Sequence, residues 1–232
     1  SGTRSVGPTG FYATLGAAVT DINTNGLAGN LTLELQAAYV SSVETFPLVI
    51  NVLGSPSNTI TIRPETGATA LSITSANTTA TVDLNGATNV TVDGRAGGAG
   101  VSQLTLANTA TAGVALRLIN GASRNTVQFA TIAGVNTSTT GGVVLFSTST
   151  GVTGNNSNTI SSCDVRDGAT TPVNGIASIG TASTNLLNTG NTISSNNVFN
   201  FFSAGSATTG ILVTTNTNLS NHIVRLTGAI TG

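Results

Sequence analysis

The sequence predicts a right-handed parallel β-helix, in which short strands stack in rungs of about 30 to 37 residues. One short phrase, Asn or Ser-Asn followed by Thr and then Ile or Val, recurs along the chain at that interval. Thr, Ser and Asn make up about two-fifths of the residues, and Val, Ile and Leu recur regularly among them. Charged residues make up only 6% of the chain, against roughly 25% in an ordinary domain.

The recurring phrase supplies one apolar anchor to each predicted rung. The anchors are Ile60, Val90, Val127, Ile160, Ile193 and Ile223, at steps of about 30, 37, 33, 33 and 30 residues. Five residues after three of these anchors, a second apolar residue follows, at Ile132, Val165 and Val198. Each unit therefore contains two or three short strands separated by Gly, Asn and Ser turns, which is the pattern of a parallel β-helix.

Asparagine opens each copy of the phrase, at the predicted corner of the rung. Asn tolerates the left-handed backbone conformation that a tight corner needs, and stacked Asn side chains hydrogen-bond from one rung to the next. We assign this structural turn role to Asn58, Asn89, Asn125, Asn158, Asn191 and Asn221. An antiparallel β-sandwich also explains short strands, but it does not explain why one phrase recurs in one phase.

The first part of the chain differs from the repeats. Residues 11–25 predict a short amphipathic helix that ends at Gly26. Its apolar face consists of Leu15, Ala18, Val19 and Ile22. Such a helix is typical of a cap over the open end of a solenoid core. We therefore predict an N-terminal cap at residues 1–56 and β-helix rungs at residues 57–232. The C-terminal end shows no such cap, and we expect further domains of the same polypeptide or self-association there.

Charge and cysteine content exclude several classes of function. The net charge is −1 and all seven basic residues are Arg. This argues against nucleic acid, which requires clustered basic residues, and against electrostatic binding to anionic membranes. No stretch approaches the roughly 18 apolar residues of a membrane span. The single cysteine, Cys163, forms no internal disulfide and is interpreted as a small core residue. We predict no cofactor and no metal site.

Parts of the chain resemble a known group of proteins. Residues 15–23 (LGAAVTDIN), 31–35, 59–64, 83–86 and 92–95 carry the resemblance. Through them, residues 12–98 resemble the amino-terminal part of large secreted β-helix proteins of Bacteroidota-type bacteria. Residues 113–232 resemble the β-helix repeats of the pectin-lyase-like superfamily. The resemblance implies a secreted or cell-surface multidomain protein, often exported by the type IX secretion system.

The resemblance also raises the question of catalysis, since β-helix enzymes mostly cut acidic polysaccharides and use acidic and basic residues to do so. A lyase needs clustered carboxylates for Ca²⁺ and a basic residue that takes a sugar proton, and a hydrolase needs two carboxylates facing one sugar. The candidates are Asp93, Asp164, Arg166 and Asp167. Asp93 shares a similar phase with Asp164 or Asp167, so stacking would bring them together. Surface ion pairs at rung corners are the alternative interpretation. His222 lacks neighbouring carboxylates and is interpreted as a turn residue.

Two further features predict binding rather than catalysis. Phe199, Phe201 and Phe202 form the densest aromatic group; one or two are expected in the core and the other at a contact with a ligand or a neighbouring module. Outward threonines order water or ice only where they repeat strictly on one face. The threonines Thr59, Thr61, Thr91 and Thr126 give way to Ser161 and Ser194, which disfavours that function.

The sequence therefore predicts a non-catalytic, extracellular or cell-surface β-helix module that acts as a stalk or adhesin and binds glycans or surface proteins. A polysaccharide lyase or glycoside hydrolase is the first alternative, and a structural filament subunit is the second. Neither nucleic acid binding nor membrane insertion is expected.

Overall fold

A computed structural model describes residues 1–52 and 57–214, together with the backbone of 223–225 and 230–231. The described chain is a parallel β-solenoid with one short α-helix near its N-terminus. The predicted fold class is confirmed. Asn221 and His222 lie outside the described residues.

The strands form three parallel sheets, and from β4 onward the chain visits them in the order sheet 1, sheet 2, sheet 3, whereas β1 and β2 both lie in sheet 1 and β3 in sheet 3. Sheet 1 contains β1 (Gly2–Val6), β2 (Leu31–Leu35), β4 (Ile60–Pro64), β7 (Val90–Asp93), β10 (Thr126–Gln128), β13 (Thr159–Ser161), β16 (Thr192–Ser194) and β19 (Ile223–Arg225). Sheet 2 contains β5 (Leu71–Ser75), β8 (Leu104–Asn108), β11 (Thr131–Gly134), β14 (Asp164–Asp167), β17 (Asn197–Phe199) and β20 (Ile230–Thr231). Sheet 3 contains β3 (Leu48–Ile50), β6 (Ala80–Asn85), β9 (Val114–Ile119), β12 (Val144–Phe146), β15 (Asn174–Ser178) and β18 (Thr209–Val213).

The core is a set of apolar columns that run through the stacked rungs. In sheet 1 the inward column is Ile62, Val92, Val127, Ile160 and Ile193, each at most 2% exposed. Burial of one such side chain contributes about 1.5 to 3 kcal/mol. Because side chains alternate between the two faces of a strand, the residues between these anchors point outward.

The strand register corrects part of the predicted repeat. Val127 pairs with Ile160 and Ile160 with Ile193, as predicted. Val127, however, pairs with Val92 rather than Val90. In β19 the residue paired with Ile193 is Val224, one position after the predicted anchor Ile223. The errors arose because the phrase was aligned on its asparagines, and Asn89 does not occupy the same place in its rung as the later asparagines.

Internal asparagines connect the rungs at the corner before sheet 1. Asn158 accepts hydrogen bonds at Oδ1 from the backbone N–H (3.1 Å) and the side-chain amide (2.9 Å) of Asn125. Asn191 accepts the same pair from Asn158, both at 2.9 Å. A second, shorter ladder joins Asn155 to Asn188. All five side chains are buried, so the ladders satisfy backbone groups that would otherwise lack partners.

The left-handed conformation lies one residue earlier than expected in most rungs. Asn89 itself has a positive φ of 57°. In the next three rungs the positive φ belongs to the residue before the ladder, namely Arg124 (55°), Ser157 (57°) and Gly190 (65°). Asn58 instead donates its side-chain amide to the carbonyl of Leu27. The corner therefore divides the two roles, since one residue supplies the turn and the following asparagine supplies the ladder.

The α-helix α1 (Leu15–Asn25) lies against the first strand of sheet 3. It begins at Leu15 rather than Phe11, because the Thr14 side chain caps it by accepting from the N–H of Ala17 at 3.0 Å. Gly26 ends it with a φ of 71°, and the predicted apolar face is buried. Asn23 donates to the Val49 carbonyl at 2.7 Å, so α1 also satisfies an edge group of β3. The strands β1, β2 and β3, all within residues 1–56, extend the same sheets as the later rungs.

Candidate functional site

The outer faces carry the side chains available for binding, and each face has a different character. On sheet 1, one outward column is threonine in seven successive strands, from β1 to β16, contrary to the expectation that Thr would give way to Ser. It contains Thr3, Thr32, Thr61, Thr91, Thr126, Thr159 and Thr192. Ser161 and Ser194 belong to the next outward column, together with Glu34 and Gln128. The expectation was wrong because the register had been misaligned.

All eight carboxylates of the chain have partners within it. Four are held by arginine. Near α1, Asp21 accepts from a tyrosine hydroxyl and an asparagine amide, and Glu44 accepts from a tyrosine hydroxyl and two backbone N–H groups. Of the remaining two, Glu65 accepts from a backbone N–H and Asp164 from an asparagine amide. The pairs are Asp21 with Tyr12 and Asn25, Glu34 with Arg63, Glu44 with Leu15, Gly16 and Tyr39, Glu65 with Ala37, Asp83 with Arg117, Asp93 with Arg95 and Gln128, Asp164 with Asn197, and Asp167 with Arg166 and Asn200. The acidic residues thus contribute to the fold.

Asp93 lies at the end of β7, and its carboxylate is saturated with donors. Arg95 donates its backbone N–H (3.0 Å) and its Nε (2.9 Å) to Oδ1, and its Nη2 to Oδ2 at 2.7 Å. Gln128 of the next rung donates to Oδ2 at 3.0 Å. Burial raises the pKa of the Asp93 carboxyl, but the hydrogen bonds from Arg95 and Gln128 outweigh burial and hold the pKa below its usual value. The carboxylate has no position left for a substrate proton or a cation.

The structure separates Asp93 from the other catalytic candidates. Asp93 belongs to sheet 1, whereas Asp164, Arg166 and Asp167 lie on β14 in sheet 2. The strands β7 and β14 also lie two rungs apart along the solenoid. The predicted shared phase is therefore wrong, and these carboxylates do not converge on one sugar. The error arose because Asp93 follows the sheet 1 residue Val92, whereas Asp164 precedes the sheet 2 residue Val165, and the two apolar phases of the repeat were not used to separate them.

The remaining three candidates meet an aromatic residue on the outer face of sheet 2. We call Asp164, Arg166 and Asp167 of β14, with Asn197 and Phe199 of β17, the β14/β17 surface. Asn197 donates to Asp164 at 2.8 Å. The Arg166 guanidinium contacts Asp167 at 3.2 Å and lies 5.9 Å from the centroid of the Phe199 ring. Asp164, Arg166 and Asn197 are exposed and Phe199 is half-buried.

A flat platform of small residues adjoins the β14/β17 surface. Thr105 and Ala107 of β8 and Thr131 and Ala133 of β11 occupy the same two outward columns. Thr131 pairs with Asp164 in register, so the long polar side chains of β14 rise directly beside the platform. This arrangement offers hydrogen-bond donors and acceptors, a partly exposed ring and a level approach, which are the elements that hold a sugar.

The three phenylalanines occupy different environments. Phe201 is 7% exposed and packs in the core, whereas Phe202 is 58% exposed. Phe199 lies between these extremes. The functional residue that sequence reasoning missed is Asn197, which lies 33 residues after Asp164. That interval equals the anchor spacing, so aligning β14 with β17 by period would have revealed the pair.

The other sequence candidates have structural roles or lie outside the described residues. Cys163 is buried, and burial raises the pKa of its thiol to about 12, which leaves it protonated and unreactive. Its Sγ contacts the Ser161 carbonyl at 3.3 Å. Within residues 1–52, 57–214 and the described backbone, no group of His, Cys, Asp or Glu is placed to hold a metal ion. The described part of the chain also has no helix with the length and apolar character of a membrane span.

The fold and this surface define the protein as a parallel β-solenoid with polar outer faces. No family model, no curated protein and no solved structure matches the chain. The relationship to secreted Bacteroidota-type β-helix proteins therefore remains a prediction from the sequence resemblance.

Proposed function

We propose that the chain is a non-catalytic, extracellular or cell-surface module that acts as a stalk or adhesin segment and binds glycans through the β14/β17 surface. The observation that carries the proposal is the commitment of all eight carboxylates to partners within the chain. Such carboxylates stabilise rungs and corners instead of serving as acid, base or calcium ligands. Secretion and export by the type IX system rest on the sequence resemblance.

A glycan-array screen on the purified chain, with product release measured on the same polysaccharides, tests this function. We expect binding without cleavage. Phe199→Ala should weaken binding at least tenfold, because it removes the ring beside Arg166. Phe202→Ala is the matched control, since Phe202 is exposed and lies outside the β14/β17 surface. Cleavage would establish a lyase or hydrolase instead, and binding only to proteins would establish a protein receptor.

A second candidate function is the ordering of water or ice on sheet 1, and the seven-threonine column favours it. Neighbouring strands lie about 4.8 Å apart, so the column is a regular row of hydroxyl and methyl groups. In three of these rungs the neighbouring outward column carries the charged residues Glu34, Arg63 and Asp93, so the threonine row there is one residue wide. Thermal hysteresis of the purified chain, compared with a Thr126→Asp variant, tests this candidate. A freezing point identical to that of a matched solute control would exclude it.

A further inference from the structure

A groove of about 300 Å³ runs along the outer face of sheet 3, on a different side of the solenoid from the β14/β17 surface. One wall comes from the corners between sheets 2 and 3, and the other comes from sheet 3 itself. Residues that line the groove include Thr78, Ala112, Arg117, Ser138, Thr140 and Leu145. Its volume falls at the lower end of the range for small-ligand pockets.

The groove exists because one corner is longer than its neighbours. The connection between β11 and β12 spans residues 135–143, whereas those between β5 and β6 and between β8 and β9 span only 76–79 and 109–113. Asn136 holds the long corner in place, since its Oδ1 accepts from Ser138 N–H at 3.0 Å and its side-chain amide donates to the Gly113 carbonyl at 3.0 Å. Ser138 and Thr140 therefore stand on an ordered wall, with their exposed side chains along the groove.

A fixed arginine lies in the groove. Arg117 donates Nε to Asp83 Oδ1 at 2.9 Å and Nη2 to Asp83 Oδ2 at 2.6 Å. The Asp83 side chain is only 2% exposed, and it lies directly across the register from Arg117. Both contacts use one edge of the guanidinium. The described hydrogen bonds leave the two N–H groups of Nη1 without an acceptor, on a side chain that is 21% exposed and lines the groove.

The ion pair occupies an otherwise apolar column. The outward column of sheet 3 reads Val49, Asp83, Arg117, Leu145, Ala177 and Leu212. Replacement of a buried ion pair by apolar residues of similar volume is often neutral or stabilising. Besides joining two rungs, the pair holds the Arg117 guanidinium in a fixed position at the groove, where its N–H groups are placed for recognition.

We infer that this groove binds a neutral oligosaccharide, independently of the β14/β17 surface. The charges of Asp83 and Arg117 cancel, and the other groove residues named above are uncharged, so an acidic sugar gains no net attraction. The Nη1 group donates to a ring or hydroxyl oxygen. The hydroxyls of Thr78 and Thr140 supply exchangeable donors and acceptors, and half-buried Leu145 supplies an apolar contact for the C–H face of a sugar. The Ser138 hydroxyl holds the wall, since it accepts from the N–H groups of Thr140 and Gly141 at 3.2 and 3.1 Å.

Calorimetric titration of the full chain with neutral hexasaccharides tests the inference. Cellohexaose, xylohexaose, mannohexaose and chitohexaose serve as probes, with a galacturonate oligomer of the same length as the charged comparison. At least one neutral probe should bind, and more tightly than the galacturonate oligomer. Binding of none of the four neutral probes, or tighter binding of the galacturonate oligomer, would overturn the inference.

Two variants locate the binding in the groove. Ala112→Trp places a bulky side chain at the exposed rim and should lower affinity at least tenfold, whereas Thr111→Trp, at the exposed neighbour outside the groove, should not. The double variant Asp83→Leu with Arg117→Leu should keep the fold and lose the binding. Wild-type affinity in Ala112→Trp or in the folded double variant contradicts the inference. Phe199→Ala should leave this binding unchanged, which separates it from the proposed function.

Discussion

At the residue scale, two neighbouring residues form each corner before sheet 1, one of which makes the turn while the other hydrogen-bonds to the adjacent rungs. Ser157 adopts the left-handed conformation, and Asn158 links its rung to those on either side. Asn158 also donates its amide to the carbonyl of Ala122 at 2.9 Å. Its side chain therefore satisfies groups on two other rungs at once. A buried donor or acceptor without a partner costs about 1 to 3 kcal/mol, so these asparagines specify the register as well as adding stability.

Replacement of the central ladder residue should test this role. Asn158→Ala leaves the backbone N–H of Asn125 without its acceptor and removes one of two hydrogen bonds from the Asn125 side-chain amide and from the Ala122 carbonyl. We expect a loss of about 2 to 3 kcal/mol in the free energy of unfolding. Urea denaturation followed by circular dichroism measures the change. Asn185→Ala, at an exposed asparagine, is the control and should change the free energy by no more than about 0.5 kcal/mol. Equal effects of the two variants would contradict a structural role for the ladder.

The Asp93 carboxylate gives stability a defined dependence on pH. The pKa of Asp93 is lower in the folded chain than in the unfolded chain, so the folded state favours the ionised form. The resulting stability is fully present above the unfolded pKa of about 3.9 and is lost as the pH falls through the lower folded pKa. The difference in melting temperature between wild type and Asp93→Asn should be constant from pH 7 to about pH 5 and should shrink below about pH 4. A difference that does not change with pH would show that the Arg95 contacts do not depend on charge.

At the element scale, the alternation of inward and outward side chains decides what each strand tolerates. Ile160 is fully buried in the column between Val127 and Ile193, whereas its neighbour Ser161 points outward. The period of 33 residues was visible in the sequence at this point, because these rungs have equal lengths. It was lost between β7 and β10, where a glycine-rich corner (94–103) lengthens the rung.

A pair of charge substitutions on β13 tests the alternation. Ile160→Asp buries an unpaired charge, so the chain should fail to fold or melt far below the wild type. Ser161→Asp should leave the melting temperature within a few degrees, since the new carboxylate meets solvent. Thermal melts followed by circular dichroism distinguish these outcomes. Unchanged melting of Ile160→Asp would show that the residue is misplaced.

The outer faces were harder to predict than the core for a physical reason. Inward positions must be apolar in every rung, so their period survives in the sequence. Outward positions meet solvent, and each face follows its own composition: a column of seven threonines on sheet 1, Asp164 beside Asn197 on sheet 2, and Asp83 beside Arg117 on sheet 3. These pairs appear only once the register is known. The sequence alone reveals the stacking but not which outward side chains meet.

At the scale of the whole molecule, stability is a sum of contacts between adjacent rungs, as in other solenoids. The ion pair between Glu34 and Arg63, the pair between Asp83 and Arg117, and the contact of Gln128 with Asp93 all join one rung to the next. The helix α1 covers the edge of sheet 3, whereas β1 has a neighbour only on one side. Central rungs therefore have more support than the first strand.

Hydrogen exchange should reveal this gradient. Amide protons of β10 and β13, which are paired on both sides, should exchange at least a hundredfold more slowly than those of β1. Mass spectrometry of peptides from these segments provides the comparison. Equal protection along sheet 1 would indicate that the whole solenoid opens as one unit.

The asparagine ladder fixes the length of this part of the solenoid in steps of one rung. Asn125, Asn158 and Asn191 stand at equal intervals of 33 residues and make the same bonds. Excision of residues 127–159 would bring Asn125 against Asn191 with the threonine and apolar columns intact, and duplication would lengthen the body by the same step. In this part of the chain, a cut through the strands that does not remove whole rungs would shift the columns out of register. Changes of reach in such a protein should therefore occur in whole rungs, by recombination between copies of its own repeat.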